Sequence, residues 1–262
     1  MFGLGKFTAR LAEDQADLAK CQRLRWLTFR AARDVGAGSD AAPGVPASAV
    51  VGLDADEFDA RCRHMMVEDA RTGTLVCTFR MQEFENGASI GRSYAAKYYE
   101  LSGLEAYPDR MLEMGRFCIH PEWRDPNILR TAWKGLGDHV EARGIALLFG
   151  CSSFNGVDDA QYADAFALLK DKHLAPRRWL PRVKAPKVFR FAKALKLKKP
   201  DLKIAMRRMP PLLRTYLVMG GWVSDHAVVD HDLNTLHVFT GVEVRRVPPG
   251  RAARMRAAKP TG

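Results

Sequence analysis

The 262-residue chain has no apolar stretch that approaches the roughly 20 residues needed to cross a bilayer as a helix; its longest apolar run is around Ile145–Phe149. The N-terminus carries no apolar core of a secretion signal and no cleavage site, so export is not expected. Cysteine is sparse. Cys21, Cys62, Cys77, Cys118 and Cys151 are odd in number and scattered, with no CxxC spacing, which excludes a disulfide frame and a zinc ribbon and implies reduced core residues in a cytoplasmic, reducing setting. The seven histidines form no HExxH and no other metal spacing, so no metal is expected. A P-loop and a GxGxxG fingerprint are both missing. Ser152-Ser153 lacks the flanks of a nucleophile elbow, and no cysteine stands in a nucleophile motif, which argues against a covalent intermediate.

Acidic residues are scarce in one region. Arg177–Arg208 holds thirteen Lys/Arg against Asp201 alone, and this accounts for much of the net charge of +11. Such a segment suits an anionic partner: nucleic acid, anionic lipid or an acidic protein. Trp179, Val188, Phe189, Phe191, Leu195 and Leu197 interleave with the cations, which favours a surface helix lying on a membrane over a purely electrostatic RNA contact. A solvated basic face is the plainer alternative.

The remaining pattern is that of an ordinary globular α/β chain. Residues 11–33 show helical spacing, with Leu18, Cys21, Leu24 and Thr28 on one face, and residues 33–50 read as a flexible Gly/Ala/Pro loop. Thr74–Gln82 alternates as a strand, and Ser93–Glu105 reads as a tyrosine-rich helical piece. Met111–Ile119 is a strand with two charges in its middle, Glu113 and Arg116, around Gly115. Asp125-Pro126 then supplies an N-cap and a first helical proline, a helix with Leu129, Ala132, Trp133, Leu136 and Val140 on one face follows, and Gly144 is placed to end it. Residues 145–153 form an apolar strand, which completes a βαβ unit with parallel strands. A helix over Asp158–His173, a short helix after Pro210-Pro211, and strands at Trp222–Val229 and Thr235–Val244 close the chain. The fold class is α/β with a mixed, mostly antiparallel sheet and a central parallel strand pair flanked by helices. Residues 1–245 read as a single domain with a basic amphipathic insertion at about 176–210, and 246–262 as a basic, disordered tail.

Ionised groups inside a core-bound strand need a reason. Glu113 and Arg116 read either as a structural ion pair or as a proton acceptor and its companion, with Gly115 marking a bulge that turns both toward one cleft. Asp54, Asp56 and Asp59 fall within one and a half helical turns, where they read as the acids of a helix start or as the holder of a cationic amine. Arg80, in an alternating strand, has the same two readings.

Taken together, LRWLTFR (24–30), DADEFDARCRHMMVED (54–69), GTLVCTFRMQ (73–82), LEMGRFCIHPEWRDPNILRTAWKGL (112–136), GCSSFNGVDD (150–159), PPLLRTYLVMGGWV (210–223) and DHDLNTLHVF (230–239) resemble the ornithine acyltransferases that make lyso-ornithine lipid, a branch of the GNAT superfamily. The chain is also distantly similar to acyl-homoserine-lactone synthases. That resemblance implies functional roles for Arg25, Phe29, Asp56, Asp59, Arg80, Glu113 and Arg116, and it adds Asp54, Ser152 and Asn155 as substrate contacts. It implies no bound cofactor, a 3-hydroxyacyl-acyl carrier protein donor, the α-amine of ornithine as acceptor, and catalysis by Glu113 and Arg116. Arg177, Arg178, Lys184, Lys187, Arg190, Lys193 and Lys196 are the expected contacts to carrier protein or to a membrane met peripherally from the cytoplasm. General GNAT enzymes carry glycines where this chain has Arg124–Leu129 without any; Asp125 adds charge and Pro126 removes a donor, so a tightly held CoA pyrophosphate is not expected. The rival readings are a CoA-dependent acetyltransferase and a non-enzymatic basic protein that binds membrane or nucleic acid.

Overall fold

Strand, helix and strand follow one another from Met111 to Asn155 in the order expected of a βαβ unit. The computed structural model describes residues 2–31, 52–248 and 250; the predicted loop 33–50, the last residues of the predicted helix 11–33 and the tail beyond 250 lie outside them. In chain order the strands are β1 (Phe2–Leu4), β2 (Phe7–Leu11), β3 (Arg63–Asp69), β4 (Leu75–Phe84), β5 (Tyr99–Glu100), β6 (Met111–Ile119), β7 (Leu147–Asn155), β8 (Arg182–Val183), β9 (Val188–Phe189), β10 (Trp222–Val223), β11 (Ala227–Asp230) and β12 (Thr235–Glu243). The described residues fall into two compact units, one of 2–31, 52–82 and 115–143, the other of 83–114, 144–248 and 250.

In the first unit β1 to β4 form an antiparallel meander, and the second half of β6 lies next to β4. The helix Gln15–Phe29 starts at Asp14, whose side chain accepts from the Asp17 N–H at 2.8 Å. Residues 11–14, read as its first turn, are instead the end of β2 and the cap. Arg10 ties this helix to the sheet, donating from Nη2 to Asp17 (2.9 Å) and from Nε to Glu68 on β3 (2.8 Å). The helix Pro126–Arg143 buries Ile128, Thr131, Ala132, Trp133, Gly135, Leu136 and Val140; Ile128 takes the core place expected of Leu129, which is half-buried. Gly135 is small by necessity, because a Cβ there would stand 3.0 Å from the Ala9 Cβ and 3.4 Å from the Met65 sulfur. Cys21, Cys77 and Cys118 are buried core thiols, and burial pushes the Cys118 thiol up to about 12.

In the second unit the order is β6-β7-β12-β11-β9, with β10 also paired to β12. β6 and β7 run parallel, Met111 to Glu113 opposite Leu147 to Phe149, while β7 and β12 pair antiparallel over nine residues. The fold class is therefore as expected, a mostly antiparallel sheet with one parallel pair. After the parallel pairing Gly150 abuts the Met114 carbonyl so closely that a Cβ would meet its oxygen at 2.2 Å. The helix Ala163–Lys172 packs Phe166 and Leu169 with Phe154, Phe191, Leu213 and Leu236. A second cluster gathers Tyr99, Phe149, Trp222 and Phe239.

Two local readings change. Ser93–Glu105 is not one helix but a 3₁₀ turn, β5 and a four-residue helix, because Ala95, Ala96, Tyr99, Leu101 and Leu104 are all buried without a helical period. Residues 176–210 are not one surface helix either. They form a turn, β8, β9 and short helices at Phe191–Ala194 and Leu202–Arg208. Phe191 is fully buried and stacks on Phe166 at 5.1 Å, Phe189 meets the same ring at 5.5 Å, and Trp179 packs against Tyr107 at 5.3 Å. Those aromatic residues serve the core. Leu197 is the exception, at 93% exposure.

Candidate active site

The charges that the sequence left unexplained meet in the first unit. Arg25 is buried on the helix Gln15–Phe29, where Cys21 and Leu24 share its inward face. It grips Asp59 with two parallel bonds, Nη1 at 2.8 Å and Nη2 at 2.9 Å, and it reaches Asp54 from Nε at 3.1 Å. Its Nη2 also donates to the Asp54 carbonyl. Arg80 on β4 donates from Nη1 to Asp56 (2.5 Å) and Asp59 (3.0 Å). Arg116 on β6 pairs with Asp54 at 3.0 Å and Asp56 at 3.4 Å. Arg30 adds a contact to Asp54 at 2.9 Å, and Gln22 one to Asp59 at 2.9 Å. Four guanidinium groups thus surround three carboxylates, leaving this set with one surplus positive charge.

Burial raises the carboxyl pKa of Asp59, but the Arg25 hydrogen bonds and charge, with help from Gln22 and Arg80, outweigh it and hold the group well below the usual range. The same balance holds for Asp54, where burial is opposed by Arg116, Arg30 and Arg25 and the net direction is down. Arg25 and Arg80 are raised: burial would lower them, and their carboxylates reverse it. Solvent reaches one acid in particular. The Asp56 side chain is 25% exposed, against 2% for Asp54 and 6% for Asp59. Phe58 lies beneath the Arg80 guanidinium, 5.5 Å from ring centre to Cζ.

Arg116 adopts φ +53°, the left-handed region that costs a side-chain-bearing residue about 1–3 kcal/mol and persists only where the surroundings over-determine it. Its contacts to Asp54 and Asp56 are that constraint. The unusual backbone of this strand lies at Arg116, one residue after the Gly115 at which a bulge was expected. Asp54 to Asp59 do not share a helix face as expected. Only Asp59–Arg61 forms a 3₁₀ turn, and the non-helical segment before it lets Arg25, Arg80 and Arg116 each bridge two of the three carboxylates.

Glu113 belongs to the second unit, buried on β6. Its two oxygens accept from successive backbone N–H groups, Tyr94 at 2.8 Å and Ala95 at 2.7 Å, and so hold the start of the Ala95–Lys97 turn. Ser152 on β7 is buried and accepts from the Thr240 hydroxyl at 2.9 Å, while Asn155, exposed at the end of β7, offers its carbonyl to Tyr162 (2.7 Å). Phe29 is half-buried at the end of its helix. Arg177, Arg178, Lys184, Lys187, Arg190, Lys193 and Lys196 are all exposed, with Arg178 over the Trp179 ring and Lys184 donating to the Ala96 carbonyl at 2.6 Å. The structure therefore brings together Arg25, Asp54, Asp56, Asp59, Arg80 and Arg116. The sequence reading missed Gln22 and Arg30. Gln22 sits three residues before Arg25, one helical turn away on the same face, which is the signal that would have found it.

At the start of the helix Pro126–Arg143, Pro126 has no N–H, the Asn127 N–H is taken by the Asp125 carboxylate at 2.9 Å, and the Ile128 N–H by the Asp125 carbonyl at 3.1 Å. Lys6 pairs with the other Asp125 oxygen at 3.2 Å. A phosphate approaching this helix end meets a resident carboxylate in place of open donors.

A mixed sheet with one parallel pair, a strand carrying a buried carboxylate and a strained arginine, and a helix after it define a GNAT-type acyltransferase. The family model described as "Acetyltransferase (GNAT) domain" matches residues 24–134, which include all seven of Arg25, Asp54, Asp56, Asp59, Arg80, Glu113 and Arg116. The chain is 34% identical over 238 residues to an L-ornithine N(alpha)-acyltransferase of Rhodobacter capsulatus, covering 89% of this chain and 88% of that one. It is 29% identical over 251 residues to the protein of the same name in Brucella abortus, covering 93% and 86%. Among solved structures, a CoA-dependent acyl-homoserine lactone synthase, MesI, aligns over 98% of this chain and 96% of that one at 12% identity and a TM-score of 0.49. The chain belongs to the L-ornithine N(alpha)-acyltransferase family and is an acyltransferase.

Proposed function

We propose that the protein transfers a 3-hydroxyacyl group from acyl carrier protein to the α-amine of L-ornithine, giving lyso-ornithine lipid. The observation that carries the acceptor is the 34% identity, over nearly the whole of both chains, to a relative of that name. The donor rests on the occupied helix start at Asp125-Pro126, where neither Asn127 nor Ile128 has an N–H left for a pyrophosphate. A carrier protein brings its own binding surface and depends less on that loop.

The reaction needs the amine in its neutral form. Its lone pair attacks the thioester carbonyl, a C–N bond forms, the C–S bond breaks, and the carrier's thiol leaves with a proton. In the second unit Glu113, directly or through a water, takes the proton that the amine loses. In the first unit the surplus positive charge of the arginine–aspartate set suits an amino-acid carboxylate at Arg80 and Arg116, and the exposed edge of Asp56 suits a cationic nitrogen. The test gives purified protein ornithine with 3-hydroxyacyl carrier protein, or with acetyl-CoA, and measures amide product by mass spectrometry. The reading requires product with the carrier-protein donor; efficient turnover with acetyl-CoA alone overturns it.

A further inference from the structure

Large apolar side chains exposed at the surface concentrate in one stretch of the chain. Of the exposed ones among the described residues, Leu197, Leu202, Ile204, Met206 and Val218 all fall within 22 positions of the second unit. Leu197 is 93% exposed and Leu202 55%. Isolated exposed leucines are ordinary, but several within one basic stretch of the chain point to an interaction site. Here the rim is basic: residues 193–208 hold seven Lys/Arg and only Asp201 as an acid.

The backbone beneath Leu197 is fixed. Lys170, from the helix Ala163–Lys172, spends its ammonium on three carbonyls of the turn, those of Leu195 (2.8 Å), Lys196 (3.2 Å) and Lys198 (2.9 Å). Asp164, on the same helix, accepts from the Asp201 N–H at 3.0 Å and pairs with Lys198 at 3.0 Å. Asp201 in turn caps the helix Leu202–Arg208, accepting from the N–H groups of Lys203 and Ile204 at 2.9 and 3.0 Å. The turn is thus tied by its own carbonyls and amides to a buried helix, while Ala205 and Met209 anchor the next one. A leucine held out on such a frame gives up little further conformational entropy when it is buried by a partner. On the Leu202–Arg208 helix, Leu202 and Met206 stand four apart on one flank, with Lys203 and Arg207 in the next row.

We infer that Leu197, Leu202 and Met206, with the surrounding lysines and arginines, form a docking surface for an anionic lipid bilayer. Fixed apolar knobs inside a cationic rim match a bilayer in both respects, with side chains entering between headgroups and cations meeting phosphates. An acidic protein partner answers the charge but leaves fully projecting leucines at a polar rim. The inference is independent of the ornithine reading, because binding to a lipid surface needs no substrate.

The test is flotation of the full chain with vesicles of phosphatidylglycerol and phosphatidylethanolamine, and separately with phosphatidylcholine alone. Binding is expected to the first and to be at least about tenfold weaker to the second. The double variant Leu197→Ser/Leu202→Ser, unchanged in charge, is expected to lose about tenfold or more in partition while its thermal midpoint and circular dichroism stay those of the parent. Lys196→Glu/Lys199→Glu is expected to weaken binding and reduce its salt dependence. Equal flotation of the parent and the leucine variant overturns the inference. So does absence of vesicle binding by the parent, whether or not the leucine variant loses affinity for acyl carrier protein. Acyl transfer in solution is read separately, so that neither result decides the other.

Discussion

Arg25 and Asp59 face each other as a closed, two-bond pair 34 residues apart in the chain, with side chains only 1% and 6% exposed. Two charges removed from water in this way are held by geometry, and taking Arg25 away leaves Asp59 with Arg80 and Gln22 and deprives Asp54 of a contact as well. Arg25→Met is expected to lower stability by about 3–5 kcal/mol, read as the shift in the urea midpoint. Arg25→Lys is expected to recover less than half of that, because an ammonium cannot make the parallel pair.

Asp56 is the exposed member of the same set, and removing its charge should leave the fold standing. Asp56→Asn is expected to keep the thermal midpoint within a few degrees and to raise the KM for ornithine by tenfold or more, on the order of 1.4 kcal/mol. An unchanged KM in steady-state kinetics removes Asp56 from the acceptor site.

Glu113 holds two backbone N–H groups, and glutamine has one oxygen to offer them. Glu113→Gln is therefore expected to loosen the Ala95–Lys97 turn by about 1–3 kcal/mol, visible as faster amide exchange at Tyr94 and Ala95, and to lower turnover by about 100-fold or more. Loosened exchange with full turnover at saturating ornithine makes Glu113 a structural anchor only.

Stability should fall in acid in two stages. Tyr99 donates its hydroxyl proton to the His237 carbonyl (2.7 Å) and so accepts at 3.2 Å from the His237 Nδ1–H. Burial then keeps His237 neutral, lowering it from 6.5 to about 4, with nearby His226 adding to the effect and Asp230 opposing it. The unfolded chain binds this proton below pH 6.5 and the folded chain only near 4, so stability is lost as pH drops between those values, by about 3 kcal/mol. His237→Asn flattens that slope in pH-resolved denaturation. Asp54 and Asp59 are lowered as well, so their stabilisation is present above about pH 4 and is lost as pH falls further, in the same direction as the His237 effect.

Gly150 offers a test of the parallel pair. A Cβ at this position would stand 2.2 Å from the Met114 carbonyl oxygen, and Gly150→Ala is expected to cost about 3 kcal/mol, measured by thermal unfolding.

The βαβ unit was legible because each of its signals is local: the Asp125-Pro126 start, Gly144 at φ +62° directly after the helix, and the apolar run that becomes β7. Glu113 and Arg116 stood out for the same reason, as charges in an apolar strand. Their partners did not. Arg25 meets acids 29 and 34 positions away, and no spacing rule within a single sequence pairs them. Glu113 binds main-chain amides, which leave no trace in side-chain identity. β1 and β2 were hidden because Phe7–Leu11 is short and runs directly into the helical pattern that follows. In residues 176–210 the cations concealed that Phe189 and Phe191 serve the core, since a dense charge pattern looks the same whether the aromatics between point outward or in.

The order in which the charged set emerges during synthesis follows from its places in the chain. Arg25, Arg30, Asp54, Asp56, Asp59 and Arg80 all precede residue 82, three of each sign, and together they are electrically neutral. Arg116 comes last and carries the surplus. A nascent chain that has reached β4 can close this set without net charge, and its positive character is conferred only when β6 is laid beside β4 with Arg116 in its left-handed conformation. The anion-attracting charge of the set is thus supplied by Arg116 alone, the last of its members in the chain.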